Sequence, residues 1–436
     1  MTREAAFATA HGTAPDRHPR GLYVLFATEM WERFSFYTML ALFTLYLQDK
    51  TEGFGWTDAR ATTLRANYLL FVFFSPLIGG WLADRKLGYR RAVMIGGGFF
   101  VAGHVLLAFP SVEVMYAALA CLVIGNGLFK PNVSTIVGNL YPKGSHLRDR
   151  AYNIFYMGIN LGATMGPIIV EFVREKYGFH PAFAVAAGGM AISVLTLIVF
   201  RKDIEPGDRS PDGKKEDVED ASPPTAIDAV PESRRIFALI VIYAVSIVFW
   251  MLFFQNGSTL TYWANDNTNW SFSGVISNAI EPFFVIAFSV PLVLLWKWLD
   301  RRGKEPATTT KIVLGMFLMA AAYAVMVVAG RTGGDTGKVS PWWLVGCYAL
   351  MGLAEITLSP MALSLVSKVA PRRFRALMMG GWFVATGLGG KLTQIGVYWT
   401  EWSHSTFFAV LAGMSLATGL LLIAVLKPLK RAMPGV

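Results

Sequence analysis

The sequence contains twelve apolar blocks of about 20 residues, separated by shorter polar segments. A helix of that length crosses the ~30 Å hydrocarbon core of a bilayer, since each residue adds 1.5 Å. The chain is 54% hydrophobic with a mean hydropathy of +0.45, which is too apolar for a soluble fold. The sequence therefore predicts an all-α membrane protein with twelve transmembrane helices, in residues 21–47, 64–84, 92–109, 114–139, 150–173, 181–200, 236–262, 275–298, 308–329, 342–367, 374–395 and 404–426.

The positive charges are distributed unevenly between the connecting segments. The chain carries 39 Lys and Arg residues and a net charge of +10. If the N-terminus lies inside, 29 of these residues fall in inner segments, and three lie inside the membrane, namely Arg33, Lys130 and Lys391. The other seven fall in outer segments: Lys50, Arg60, Arg65, Arg174, Lys176, Arg331 and Lys338. Basic residues accumulate on the cytoplasmic side of membrane proteins. We therefore expect a multi-pass protein with both termini in the cytoplasm, and this explanation of the charge predicts no nucleic-acid partner.

A polar, proline-rich segment at 201–234 divides the predicted helices into six and six. It is too polar to bury a core, so it predicts a flexible cytoplasmic linker. The full prediction is a cytoplasmic tail (1–20), an N-terminal six-helix bundle (21–200), the linker, a C-terminal six-helix bundle (235–427) and a second cytoplasmic tail (428–436). Short stretches of the two halves resemble each other, as in Trp81-Leu82-Ala83-Asp84-Arg85 and Trp298-Leu299-Asp300-Arg301. Pseudo-symmetric halves are typical of secondary transporters, whose substrate site lies between the repeats.

Charged residues occur within the predicted helices, where each costs about 2.5–3.5 kcal/mol on insertion. Glu29, Glu32 and Arg33 share one face of the first helix. Lys130 lies at a matching depth in the fourth, which predicts a Glu–Lys or Glu–Arg network. Glu355 lies near the centre of the tenth helix. Charges of both signs on opposite sides of a cavity favour a zwitterionic substrate and an ion-gradient energy source.

The sequence has no nucleotide-binding loop and no metal-spaced His/Cys cluster. We therefore expect no cofactor, no metal ion and no enzymatic activity.

Several ordered motifs resemble those of one transporter family. Glu29-x-x-Glu32-Arg33-Phe34-Ser35 is similar to the ExxERFS motif of the proton-coupled oligopeptide transporters (POT family) of the major facilitator superfamily. Further similar stretches lie at 127–134, 155–162, 354–360 and 378–383, and residues 80–91 resemble the cytoplasmic-loop motif of the superfamily, with Asp84, Arg85 and Arg91. The resemblance implies a major facilitator fold of two six-helix bundles in a bacterial-type inner membrane.

The resemblance also implies residue roles. Arg33 and Lys130 would bind the peptide carboxylate, and Glu355, helped by Asn160, would bind the peptide amine. Three aromatic residues would line the site, namely Tyr37, Trp250 and Trp382. Glu29 and Glu32 would form the proton-coupling network with Arg33 and Lys130. The expected partners are di- and tripeptides, protons and the lipid bilayer, and we expect a functional monomer.

The sequence departs from the family pattern at the outer ends of the helices. Phe254 stands where many relatives carry an acid, and Glu281, just before Pro282, stands where they often carry asparagine. We hypothesise that Glu281 belongs to the proton-coupling set and takes over charge pairing at the outer gate.

The predicted function is proton-coupled import of di- and tripeptides by alternating access. One alternative is a family relative that carries another substrate, such as a peptide-like drug or nitrate. A second alternative is a drug-efflux antiporter of the same superfamily, whose pocket would need fewer paired charges of both signs than this sequence carries. A non-transporting peptide sensor would bind peptides without accumulating them.

Overall fold

The computed structural model describes residues 17–141, 147–208, 227, 229–371 and 375–433. Over these residues it consists of helices and connecting segments, with an isolated β-bridge between Thr268 and Val339. The long helices are α1 (Arg20–Gln48), α2 (Asp58–Leu82), α3 (Tyr89–Leu107), α4 (Val112–Asn139), α5 (Leu147–Tyr177), α6 (Phe179–Val199), α7 (Glu232–Phe253), α8 (Ile280–Asp300), α9 (Thr308–Gly333), α10 (Pro341–Val369), α11 (Arg375–Leu392) and α12 (His404–Ala424).

Hydroxyl side chains fix the starts of several of these helices. Thr57, Ser111, Ser340 and Ser403 each precede a helix and accept a hydrogen bond from a backbone N–H of its first turn. A capping hydroxyl of this kind satisfies one of the four amide groups that a helix leaves free at its start. The local sequence thus determines where the chain enters α2, α4, α10 and α12.

By length and composition alone, ten helices in the described part of the chain are apolar enough to cross a bilayer. The two other long helices are α1 and α11. The first carries Glu29, Glu32 and Arg33 in its interior, and the second is glycine-rich and ends near Lys391. With these two included, the prediction of an all-α membrane fold with twelve transmembrane helices is confirmed.

The helices form an N-terminal bundle of α1–α6 and a C-terminal bundle of α7–α12. Within the first, α1 packs against α5 and α6, and within the second, α9 packs against α10 and α12. The bundles meet where α2 runs along α11 and where α5 contacts α8. Small residues permit close approach: a Cβ on Gly166 of α5 would lie 2.7 Å from Oγ1 of Thr38 on α1.

Much of the predicted tails and linker lies outside the described residues. This applies to residues 1–16, 209–226, 228 and 434–436. The described start of the linker forms a short helix, Arg201–Ile204, and a 3₁₀ turn, Glu205–Gly207. A further helix, Leu426–Ala432, crosses the predicted start of the second tail. The domain boundaries stay a prediction.

Candidate functional site

A buried ion-pair network lies in the middle of α1. Arg33 donates from Nη2 to Oε1 of Glu32 at 2.6 Å, and its Nε contacts the other oxygen of the same carboxylate. Its Nε also lies 3.5 Å from Oε1 of Glu29. All three side chains are at most 3% exposed. One arginine is therefore shared by two glutamates, on the helical face that their spacing predicted.

Lys130 of α4 lies beside this network. It interacts electrostatically with Glu29, Glu32 and Arg33, and its Nζ lies 5.2 Å from the centre of the Phe73 ring. Among the described residues, however, no ion pair within 4 Å joins Lys130 to either glutamate. Oε2 of Glu29 is buried without a hydrogen-bond partner. Among the described residues, the network thus has one carboxylate oxygen without a hydrogen-bond partner, Oε2 of Glu29, and one nearby cation, Lys130, that forms no ion pair with it.

A cavity of about 60 Å³ lies between the two bundles. Tyr37 of α1 and Tyr156 and Asn160 of α5 line one side, and Glu281 of α8 and Glu355 of α10 line the other. The Tyr156 hydroxyl donates to Oε1 of Glu355 at 3.4 Å across the interface between the bundles. The cavity has room for a few water molecules but not for a dipeptide, so the structure represents a closed arrangement of this site.

Tyr37 connects the cavity to the ion-pair network. It follows Arg33 by one helical turn on α1 and interacts electrostatically with Arg33 and with both acids of the cavity, Glu281 and Glu355. The site therefore has its bases, Arg33 and Lys130, in the N-terminal bundle, where the two glutamates of the ion-pair network accompany them. Its other end, in the C-terminal bundle, is acidic, and tyrosine hydroxyls lie between the two ends.

Glu281 and Glu355 form a carboxyl pair. Their side chains are hydrogen-bonded to each other, although they come from different helices. Glu281 is 3% exposed, and its Oε1 has no further hydrogen-bond partner. Among the described residues, no ion pair joins Glu281 to a base. The hypothesis of charge pairing at the outer gate thus has no basic partner for Glu281 in this arrangement, and it stays a prediction.

Two of the predicted aromatic residues do not line this cavity. Trp250 stacks on Phe254 with ring centres 5.3 Å apart, and its Nε1 is buried without a partner. It packs on α11, because a Cβ on Gly389 would lie 2.6 Å from its Cβ. Trp382 is 5% exposed on α11. Their role in substrate binding stays a prediction.

The cytoplasmic-loop motif lies at a π-helical turn, Ala83–Leu87, after α2. Tyr89 donates from its hydroxyl to Asp84 at 2.8 Å, and the Arg85 guanidinium lies 5.2 Å from the centre of the Trp81 ring. The third residue of the motif, Arg91, is exposed.

A neighbouring arginine makes the ion pairs with the segment after α6. Nε of Arg90 lies 3.4 Å from Asp208, and Nη1 lies 3.7 Å from Glu205. The sequence motif did not single out Arg90, and the acids it contacts lie in the predicted linker.

Sequence reasoning also missed Tyr156 and Arg65. Tyr156 lies one turn before Asn160 on the same face of α5, which could have identified it. Arg65 was assigned to an outer segment, but this assignment is wrong because α2 begins at Asp58 and places it within the helix. Its side chain is buried and donates from Nη1 to the Phe254 carbonyl oxygen of the other bundle at 2.9 Å.

A family model described as the Major Facilitator Superfamily matches residues 25–392. Among curated relatives, an uncharacterized transporter, YclF, of Bacillus subtilis (strain 168) is 31% identical and aligns over 96% of both chains. A di-/tripeptide transporter of Lactococcus lactis subsp. cremoris is also 31% identical, over 96% of this chain and 97% of that protein. Dipeptide and tripeptide permease A of Escherichia coli (strain K12) is 25% identical, over 85% of this chain and 82% of that protein.

Comparison with solved structures also finds peptide transporters. The crystal structure of a peptide transporter POT in complex with sulfate superposes with a TM-score of 0.86 at 30% identity and covers 100% of both chains. A mutant of a peptide transporter POT, crystallised with alafosfalin, gives the same values. A POT family transporter in complex with a thioalcohol conjugated peptide has a TM-score of 0.86 at 25% identity, over 94% of this chain and 97% of that one.

Proposed function

This chain belongs to the proton-coupled oligopeptide transporter family of the Major Facilitator Superfamily, and we propose that it is a symporter that imports di- and tripeptides by alternating access. Two relatives that are 30% and 31% identical to this chain, and that align over 97% of their own length, are named as di-/tripeptide transporters. The fold is that of solved peptide transporters.

The observation that carries this proposal is the polarity of the central site. Arg33 and Lys130 lie at one end, and Glu355 lies at the other, in the opposite bundle. A short peptide is a zwitterion whose carboxylate suits the bases and whose ammonium group suits the acid. Tyr37 and Asn160 supply hydroxyl and amide groups between these ends.

Proton coupling follows from competition for Arg33. Its guanidinium is held by Glu32 through two contacts and by Glu29 through a longer one. A proton that neutralises one of these carboxylates weakens its hold on Arg33, which then becomes available to the peptide carboxylate. Lys130, which has no ion pair within 4 Å among the described residues, can move to whichever carboxylate stays charged. Protonation and peptide binding thereby support each other.

We further propose the orientation predicted from the basic residues, with both termini on the cytoplasmic side of a bacterial-type inner membrane. In that orientation, a membrane potential of 100 mV contributes about 2.3 kcal/mol per proton. With tenfold accumulation per ~1.4 kcal/mol, one proton supports roughly 40-fold accumulation of peptide.

The test is uptake of radiolabelled dialanine into proteoliposomes under an imposed pH gradient. Wild-type protein should accumulate the peptide, and an uncoupler should abolish the accumulation. Glu32→Gln and Lys130→Ala should both lose gradient-driven uptake, because each removes a member of the coupling network.

Exchange of peptide across vesicles without a gradient separates the two variants, since it needs binding but not coupling. Glu32→Gln should retain some exchange. Lys304→Ala, which removes an exposed lysine far from the site, is the matched control and should accumulate dialanine like the wild type. Full accumulation by both site variants would refute the assigned roles. Binding of dialanine by wild type without exchange or accumulation would indicate a peptide sensor instead.

A further inference from the structure

The acidic end of the central cavity holds two carboxyl groups rather than one. Glu281 and Glu355 project from α8 and α10 into the same cavity and are hydrogen-bonded to each other. The helices are close at this level: a Cβ on Gly352 of α10 would lie 3.2 Å from the Glu281 carbonyl oxygen. The pair is therefore built into the packing of the C-terminal bundle.

The groups that face the pair are neutral or negative. Tyr37 of α1, Tyr156 of α5 and Tyr348 of α10 interact electrostatically with Glu281. Among the described residues that line the cavity, there is no lysine, arginine or histidine. Oε1 of Glu281 is buried without a hydrogen-bond partner.

Two carboxyl groups in contact within a low-dielectric cavity cannot both be ionised without a cation between them. Their close contact is a hydrogen bond, which requires one of them to keep its proton. The empty pair therefore keeps at least one proton, and in its singly protonated state it carries one negative charge. The single ammonium group of a peptide N-terminus neutralises that charge, and the shared proton stays in place.

A peptide whose first residue carries an amino side chain brings two ammonium groups to the pair. The second ammonium can replace the proton, which leaves through the cavity water to solvent, so that two carboxylates face two cations. On the basis of the proposed function, we propose that the Glu281–Glu355 pair is a diacidic subsite that selects peptides with a cationic first residue, such as lysine. Glu355 binds the α-amino group and Glu281 binds the side-chain cation.

The experiment compares three dipeptides that differ in the presence or the position of a side-chain amino group. Lysyl-alanine carries the cation on the first residue, norleucyl-alanine has the same chain length without the amine, and alanyl-lysine carries the cation on the second residue. Each competes with radiolabelled dialanine for exchange by the full-length protein in proteoliposomes, at the same pH on both sides of the membrane, at pH 5.5 and at pH 7.0.

For wild type, lysyl-alanine should compete better than norleucyl-alanine, and the ratio should rise with pH by up to tenfold per unit, because one proton is displaced. Alanyl-lysine should show neither effect. In Glu281→Gln the ratio should be close to one at both pH values, and Glu281→Asp, which keeps the carboxyl group, should restore part of it. A ratio that does not change with pH, or that is the same in wild type and Glu281→Gln, would overturn the proposal.

Calorimetry of the purified protein tests the same subsite without transport. In buffers of different ionisation enthalpy, binding of lysyl-alanine to wild type should release about one proton more than binding of norleucyl-alanine. In Glu281→Gln the two peptides should release the same number of protons. Equal proton release from wild type contradicts the diacidic subsite. If wild type does not exchange dialanine at all, the proposed transport function fails, and the calorimetric difference still decides the subsite.

Discussion

The unequal contacts of Arg33 with its two glutamates predict unequal effects of neutralising them. Glu32 engages the guanidinium through both carboxylate oxygens, with one hydrogen bond of 2.6 Å. Glu29 makes a single contact of 3.5 Å and leaves its other oxygen without a partner. Because all three side chains are buried, water cannot replace a lost contact. Glu32→Gln should therefore destabilise the protein more than Glu29→Gln.

The magnitude follows from what each variant leaves behind. Removing one partner of a buried ion pair costs about 3–5 kcal/mol, because the remaining charge is uncompensated. In Glu32→Gln, Glu29 still lies 3.5 Å from Arg33, so we expect the lower end of that range, about 3 kcal/mol. Glu29→Gln keeps the two-point contact and loses one long interaction, which is worth about 1 kcal/mol. The difference of about 2 kcal/mol corresponds to a roughly 30-fold ratio of unfolding equilibrium constants.

The assay is equilibrium unfolding of each variant in mixed micelles, at a fixed pH and without substrate, so that proton coupling does not enter. A double-mutant cycle with Arg33→Met then gives each coupling energy to Arg33 directly. The coupling of Arg33 to Glu32 should exceed its coupling to Glu29 by about 2 kcal/mol. Equal couplings, or a larger one for Glu29, would refute the geometric reasoning.

Two further predictions concern packing and the contact between the bundles. Gly389→Ala should lower the free energy of unfolding by about 1–3 kcal/mol, because the new Cβ would lie 2.6 Å from that of Trp250. Gly413→Ala, with nothing within 4 Å, should instead raise it by up to about 1 kcal/mol, and a loss of stability there would contradict the packing. Lys391→Met removes a charged hydrogen bond from α11 to α2, worth about 1.5–3 kcal/mol. It should speed thiol labelling of a cysteine substituted for the buried Ser258 by about tenfold or more, and unchanged labelling would count against this role.

The sequence predicted the helices well because membrane thickness and hydrophobic block length are directly related. It also predicted the Glu29–Glu32–Arg33 network, since residues three and four apart share a helical face. Depth along the helices placed Lys130 beside that network. These features depend on position within one helix or on depth, and both can be read from residue numbers.

Features that depend on rotation about a helix axis, or on a helix start, could not be read in this way. Depth placed Glu281 in the outer part of its helix, but only the rotation of α8 against α10 brings it to Glu355. Arg65 precedes most of its apolar block and looked like a loop residue. The capping contact at Thr57 starts α2 early and carries Arg65 two turns inside, where it meets the C-terminal bundle.

The two bundles are closed against each other by hydrogen bonds at the end of the fold away from the chain termini. Among the described residues, none of the ion pairs joins the N-terminal bundle to the C-terminal bundle. Between described residues, five hydrogen bonds join the bundles at this end: Thr44 to the Gly257 carbonyl, Thr62 with Tyr262, Arg65 to the Phe254 carbonyl, Lys391 to Asn67, and Gln394 to Thr63.

Three of these bonds are neutral and two have charged donors, so together they are worth about 5–10 kcal/mol. A shift of a two-state equilibrium from 1:99 to 99:1 requires about 5.5 kcal/mol. The contacts at this end are thus strong enough to hold the bundles closed. They are also weak enough that a free-energy change of a few kcal/mol at another site shifts the equilibrium towards the open state. Loss of one partner from a buried ion pair changes the free energy by about 3–5 kcal/mol. On the proposed mechanism, protonation at Glu29 or Glu32 therefore changes the free energy by an amount comparable to that of the hydrogen bonds that hold the bundles closed. The buried ion-pair network can thus control a closure that contains few charged groups.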